Sequence, residues 1–339
     1  MCDLLVALPP ATVEGSTLFA KNSDRPPDEP QRLAWHPPRL ESVTTTTYLT
    51  IPGSAGDTVG FLGSRPDWMW GVEHGVNEAG VAVGNATIYT TLDPRGTADA
   101  LTGMDLVRLA LERATTASEA VTTITGLIDA HGQGGSGHQD ADRPYWSSFL
   151  VADPDEAYVV ETSGTTWAVE PVDGTRCTSN RTTIPAFDAE HRHPRQPVAV
   201  LVDPRLDASR AVLASAPVTV RDLRRHLASH AGGDDGWTVC MHVDGVEATT
   251  ASIVAELPTD GPPRAWVAAG SPCRSVFVPV VVGAPLGEVP AWERFAALRP
   301  EHRPALDELQ ARLDDLGSDA GANAEAWRLT AEVLDRLGA

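Results

Sequence analysis

Residues 2–25 read CDLLVALPPATVEGSTLFAKNSDR, and this stretch sets the fold class. Asp3 to Leu8 is a short, nearly continuous apolar run, the pattern of a strand covered on both faces. The turn-forming stretch Val13-Glu-Gly-Ser16 separates it from Thr17–Ala20, which reads as its hairpin partner. Cys2 therefore stands at the head of a buried strand, a rigid mount for a reactive group. A small residue after Met1 is the usual condition for methionine removal, which would leave Cys2 with a thiol and a free α-amine. An α-amine has a pKa of about 8, so it is partly neutral near pH 7 and can act as a base. One residue would then supply both nucleophile and base. The hairpin partner continues into FAKNSDRP at 19–26, placing Lys21, Asn22, Asp24 and Arg25 beside Cys2. A cation near a thiol favours the thiolate, and a carboxylate near the amine would orient it. The competing reading of the same residues is an ordinary polar turn before Pro26-Pro27. With Lys21 and Asp24 as helpers, Arg25 serves as an internal control whose replacement is expected to have a milder effect.

The 339 residues are 42% hydrophobic and 21% charged, a globular balance that can bury a sizeable core. Lys plus Arg is 26 against 46 Asp plus Glu, a formal charge of −20. Such a surface repels phosphate backbones and anionic lipid, so neither a nucleic-acid nor a membrane partner is expected. No stretch approaches a membrane span, and no basic residue precedes the apolar start as in a signal peptide. Lys21 is the only lysine. Without a Gly-Lys pair there is no Walker A loop, and with Leu18 three residues before Lys21 there is no Ser-x-x-Lys hydrolase motif. Cys2, Cys177, Cys240 and Cys273 lie far apart with no C-x-x-C spacing, which fits neither a disulfide scaffold nor a zinc knuckle. Reduced thiols in a cytoplasmic protein are expected, with no cofactor and no metal.

Beyond the hairpin, residues 25–56 read as a long surface excursion. Apolar stretches between Trp68 and Thr90 flank a turn at Asn77-Glu-Ala-Gly80. Helical spacing runs from Met104 to Ala130, with a break and a new cap at Thr116. Ser148–Ala152, Tyr158–Thr162 and Thr166–Glu170 form a meander, and Val220–His230 a short helix. Trp237–His242, Thr249–Glu256, Arg264–Ala269 and Ser275–Val282 read as four more strands, followed by helices at Ala291–Leu316 and Ala324–Leu337. Clustered strands with grouped helices predict an α+β fold, not a doubly wound sheet. The amphipathic tail is expected to pack on the core, with self-association into a homo-oligomer as its alternative use.

Other motifs carry less. A formal GxGxxG at Gly132, Gly134 and Gly137 follows a helix end instead of a strand, so it reads as a flexible loop. His226 and His230 share an i, i+4 spacing, but no Glu follows His226, and a surface helix is the favoured reading. Asn85 and Asn180 each follow an apolar strand, where an amide can stabilise an oxyanion without titrating.

Several longer segments occur in a fixed order: CDLLVALPPAT at 2–12, FAKNSDRPPDEPQ at 19–31 and WGVEHGVNEAGVAVGNA at 70–86. GMDLVRLALERATTASEAV at 103–121 and SSFLVADPDEAYVVETSGTTWAVE at 147–170 follow. TSN at 178–180, CMH at 240–242 and SPCRSVFVPV at 271–280 complete the series. Together they resemble the secernin group of the cysteine-nucleophile dipeptidases, within the N-terminal-nucleophile hydrolases, over roughly residues 2–283. The resemblance implies a four-layer αββα catalytic domain over 1–283 and a helical C-terminal extension over 284–339. It implies Cys2 as nucleophile, Lys21 and Asp24 as its helpers, and Asn85 and Asn180 as oxyanion candidates. Trp70 and His74 are substrate-side candidates within the matched segment. Ala86, Val278 and Arg274 depart from what secernins tend to carry, which marks Arg274 as a substrate contact peculiar to this chain or a plain surface residue. The implied activity is hydrolysis of a small amide or dipeptide through a thioester on Cys2. An acyltransferase using the same thioester, or a non-catalytic binding protein on the same fold, are the alternatives.

Overall fold

The computed structural model describes residues 1–54, 56–317 and 321–339. The strands are β1 (Cys2–Ala7), β2 (Thr17–Arg25), β3 (Gln31–His36), β4 (Val43–Thr45), β5 (Thr50–Pro52), β6 (Phe61–Pro66), β7 (His74–Asn77) and β8 (Ala82–Ile88). After two helices come β9 (Trp146–Ala152), β10 (Ala157–Ser163), β11 (Thr166–Pro171), β12 (Thr175–Thr178), β13 (His242–Val243), β14 (Glu247–Leu257), β15 (Arg264–Ala269) and β16 (Val278–Val281). The helices are α1 (Gly103–Arg113), α2 (Ala117–His131), α3 (Pro185–His191), α4 (Val198–Leu201), α5 (Asp203–Leu213) and α6 (Val220–Leu227). The last three are α7 (Trp292–Ala296), α8 (Arg303–Asp314) and α9 (Ala322–Leu337).

Two antiparallel seven-stranded sheets lie face to face. The first runs β12-β1-β2-β14-β15-β16 with β13 on the end of β14, and the second runs β11-β10-β9-β8-β7-β6-β3. Alternation along β1 shows how the layers form. Leu4 and Val6 point between the sheets, where they meet Leu62, Val76 and Leu150. Leu5 and Ala7 point the other way, into a cluster with Leu206 on α5 and Leu223 on α6. With apolar neighbours on both faces, β1 needs no polar alternation, which is why it reads as a continuous run. The outer face of the second sheet is covered by α1 and α2 through Val83, Phe149, Leu109 and Ile124. The result is an αββα sandwich, the predicted α+β class. Leu306 and Leu309 of α8 and Trp327 and Val333 of α9 join the inter-sheet cluster at the β16 end.

The helix pair is punctuated as its sequence indicates. Thr102 caps α1 in a reciprocal box with Asp105, and the Thr116 side chain accepts the Glu119 N–H at the start of α2. Three expectations need correction, and one region holds helices that the sequence did not announce. Residues 31–36 of the supposed excursion are β3, an edge strand paired with β6; Ala55, in the same stretch, lies outside the described residues. Helices α3 to α5 occupy a region with no clear periodicity in the sequence, because they are short and partly exposed. Helix α6 ends at Leu227, so His226 and His230 do not share a helix face. His226 is buried, with Nε2 at 2.9 Å from Ser209 Oγ. Trp237–His242 is mostly loop: the N–H groups of Val239 and Cys240 turn back to the carbonyls of Ala231 and Ser229 instead of entering a ladder.

Candidate active site

Antiparallel pairing of β1 with β2 sets Cys2 opposite Ser23 and Leu4 opposite Lys21. Directly opposed residues share a face, so Cys2, Ser23 and Lys21 all point between the sheets. Lys21 is fully buried; its Nζ donates to Ser23 Oγ at 2.9 Å and to the Glu73 carbonyl at 2.8 Å, and lies 3.2 Å from Glu73 Oε2. Arg25 reaches the same carboxylate at 3.2 Å and also pairs with Glu29. Glu73 is thus clamped by two cations. Burial pushes its carboxyl up, but Lys21 and Arg25 outweigh burial and hold it below its usual range.

The Gly84-Asn85 pair on β8 makes room for this arrangement. A Cβ on Gly84 would stand 2.8 Å from Lys21 Cδ and 3.1 Å from Leu4 Cδ2, so the lysine stem passes only because that position is glycine. Asn85 follows, buried, with Nδ2 at 3.2 Å from the Met104 thioether, a weak acceptor, and Oδ1 without a hydrogen-bond partner. Its amide retains hydrogen-bonding capacity within the cavity that holds Cys2.

Asn180 approaches from the loop after β12. Its Oδ1 accepts the Cys2 N–H at 2.9 Å and an Arg205 Nη2–H at 3.0 Å, while its Nδ2 donates to the Thr87 carbonyl at 3.0 Å. Two donors on one side and an acceptor on the other fix which end of the amide faces Cys2. The oxygen, not the NH₂, meets the chain start, so the oxyanion role expected of Asn180 gives way to holding the Cys2 nitrogen. Arg205 is fully buried on α5 and is anchored by Asp3, Nη1 to Oδ2, at 2.6 Å.

Met1 lines the cavity that holds Cys2. Its backbone pairs with Asp24, the Met1 N–H donating to the Asp24 carbonyl at 3.1 Å and Asp24 N–H donating to the Met1 carbonyl at 2.8 Å. The terminal ammonium also pairs with Glu247. With Met1 in place the remaining cavity is about 20 Å³, lined by Cys2, Glu73, Asn85, His138 and Tyr145 among others. Burial lowers the pKa of the amine, with the Asp24 charge opposing it. Burial also raises the Cys2 thiol, and the Lys21 charge is the largest influence pulling it back. Asp24 is pushed up to about 6 by burial; one carboxylate oxygen accepts from Thr249 Oγ1 at 2.6 Å and the other has no hydrogen-bond partner.

Cys2, Lys21, Asp24, Asn85 and Asn180 are therefore brought together. The substrate-side candidates separate. Trp70 is corrected: it packs on the helix-covered outer face, with the Arg108 guanidinium 4.0 Å from its ring, away from Cys2. His74 is buried between the sheets with Nδ1 at 3.0 Å from Ser23 Oγ, behind the lysine and outside the Cys2 cavity. Burial, then Lys21, holds it far below its usual pKa, so it is a neutral partner of Ser23. Arg274 is exposed and lines a groove of about 170 Å³ that shares Glu247 with the Cys2 cavity. Arg25, the expected milder-effect control, is buried and lines that cavity. Sequence reading missed Glu73, Arg205, His138, Tyr145 and Glu247. Only Glu73 had a local signal, a carboxylate inside an otherwise apolar segment leading into a strand. The supposedly flexible glycine loop carries His138, and its Gly137 carbonyl accepts from Arg25 at 2.8 Å.

The family model of Peptidase family C69 matches residues 2–199, more than half of the chain. Among solved structures, a variant of the conjugated bile acid hydrolase from Clostridium perfringens is similar at 13% identity, with a TM-score of 0.50 over 78% of this chain and 89% of that one. Penicillin V acylase from Agrobacterium tumefaciens is similar at 12% identity, with a TM-score of 0.50 over 82% and 86%. At these identities the likeness is one of fold. No helix among the described residues is long and apolar enough to cross a membrane. The matched segment opens on Cys2, and the fold mounts that cysteine in a polar cavity between the sheets; the chain belongs to Peptidase family C69 and is a cysteine-nucleophile amide hydrolase of the N-terminal-nucleophile fold.

Proposed function

We propose that the enzyme cleaves small dipeptides or related amides through a thioester on Cys2, after Met1 has been removed. The observation that carries this reading is the placement of Met1, an amide-linked residue that lines the Cys2 cavity with its ammonium paired to Glu247. Its removal would vacate a residue-sized site and convert the Cys2 amide nitrogen, held by Asn180, into an amine. That amine takes the thiol proton, and the thiolate attacks the substrate carbonyl. Asn85 Nδ2, which donates only to the weakly accepting Met104 thioether, turns its N–H to the oxyanion. The carbon–nitrogen bond then breaks as the ammonium returns its proton to the leaving amine. Water adds to the thioester, the amine accepts its proton, and Cys2 leaves as the thiol.

Lys21 offsets the burial that disfavours thiolate, and Glu73 and Ser23 keep its ammonium in place. Asp24 and Glu247, which pair with the Met1 backbone and ammonium, would meet the polar end of a substrate seated there. Arg274, in the adjoining groove, suits a substrate carboxylate. The test is acid-quenched mass spectrometry during turnover of a dipeptide panel. An acyl-sized gain on the peptide that begins at Cys2, with both gain and turnover lost in Cys2→Ala, is expected. Full turnover in Cys2→Ala, or an adduct mapped elsewhere, would sink the proposal.

A further inference from the structure

Away from Cys2, residues that no catalytic step uses converge on one point. His230 lies just past the end of α6, Cys240 sits in the following loop, His242 opens β13, and Cys273 sits between β15 and β16. One ligand atom from each of the four lies within 4.8 Å of all the others. His242 Nε2 is 3.0 Å from Cys273 Sγ and 3.5 Å from Cys240 Sγ, and the His230 and His242 rings meet edge to face with centroids 5.3 Å apart. Cys240 is fully buried, Cys273 partly so, and His230 is exposed.

We infer that His230, Cys240, His242 and Cys273 form a structural zinc site. Two sulfurs and two imidazole nitrogens are the donor set zinc prefers, and Zn–S and Zn–N bonds of about 2.3 and 2.0 Å hold tetrahedral ligand atoms roughly 3.5 Å apart. The observed separations need only small adjustments to meet that geometry. All four positions are filled by protein, which marks a structural site, since a catalytic zinc keeps one position open. Binding releases the two thiol protons to solvent, and the two thiolates cancel the charge of the ion. No net charge is then buried beside Cys240. The spacing of these ligands is invisible as a motif, because the fourth lies 31 residues beyond the third.

The site explains how an irregular segment is held. Residues 229–243 have little ladder pairing, yet Met241 N–H donates to Thr249 Oγ1 at 2.8 Å, and that hydroxyl donates to Asp24 at 2.6 Å. A metal on Cys240 and His242 therefore fixes the residue between them, and through Thr249 the carboxylate beside the active site. This inference does not depend on the proposed substrate.

The test is metal analysis of the full-length protein, purified without added metal or chelator. About one zinc per chain is expected, with Cys240 and Cys273 both free thiols after denaturation in chelator. Cobalt added to the metal-free protein should give thiolate charge-transfer absorption and strong tetrahedral bands, both absent in Cys273→Ser. His230→Ala, which removes an exposed ligand and spares the core, should lose zinc to a competing chelator at a concentration lower by at least about tenfold. That variant carries the test if Cys273→Ser fails to fold. Protein that neither contains nor takes up stoichiometric zinc, a native Cys240–Cys273 disulfide, or zinc held equally well by both variants would each overturn the inference.

Discussion

Asn85 and Asn180 are the same residue type beside the same thiol, and their surroundings give them different work. Asn180 spends its oxygen on Cys2 N–H and Arg205 and donates to Thr87, whereas Asn85 has only a thioether partner. Replacing Asn85 by Ala should therefore lower turnover about 10²–10³-fold, the usual cost of losing one oxyanion donor, while Cys2 alkylation by a small electrophile stays near the parental rate. Steady-state kinetics and alkylation measured side by side check this; parallel losses in both would point to a structural role. Asp24 supports a prediction about pH. Its carboxyl rises from an ordinary value of 3.8 to about 6, burial being the main cause. Between those values the folded state binds more protons than the unfolded one, so stability falls as pH rises through that window, and the full cost is present above it. Asp24→Asn removes the cost. Urea unfolding should show the variant gaining on the parent by roughly 2–3 kcal/mol between about pH 4 and pH 7. An unchanged difference would mean that the carboxylate is not disfavoured by burial.

At the scale of elements, the hairpin β1–β2 was legible because both strands are local and one is apolar throughout. Its register put Lys21 and Cys2 on one face with no further information needed. The partners that complete the site were not legible, since they are joined only through the fold. Arg205 meets Asp3 across 202 residues and comes from a helix whose short, half-exposed pattern gives little periodic signal. Trp237–His242 misled for a related reason, its apolar residues being buried by a folded-back loop in place of a ladder. Trp70 belongs to a matched segment, but it precedes β7 and turns toward α1, and sequence proximity to Glu73 does not place it in the cavity. Gly84 tests the packing of β8 on β2. A methyl added there meets the Lys21 stem and Leu4, so Gly84→Ala should cost about 1–3 kcal/mol by denaturant unfolding and reduce turnover by displacing the lysine. Parental stability and turnover would show that the lysine stem has room to move.

For the whole molecule, the sandwich and the C-terminal helices share one interior. Trp327 on α9 is 1% exposed and belongs to the same cluster as Leu4, Phe19 and Ile253. Trp327→Ala should therefore lower the stability of the entire chain by about 3–5 kcal/mol, in a single transition seen alike by near-UV and far-UV signals. Separate transitions would mean that the tail folds apart from the sheets. The same interior encloses the Cys2 cavity, where burial raises the thiol and the Lys21 charge pulls it back. Use of the chain-start amine as the base requires that amine on Cys2, and Met1 stands in the way. The decisive measurement is the N-terminal mass of the enzyme molecules that turn over amide, obtained by capturing the acylated fraction from a preparation mixed in its N-termini. The account predicts that acylated molecules begin at Cys2 and that molecules retaining Met1 stay unmodified. Acylation and turnover by chains that still carry Met1 would contradict it.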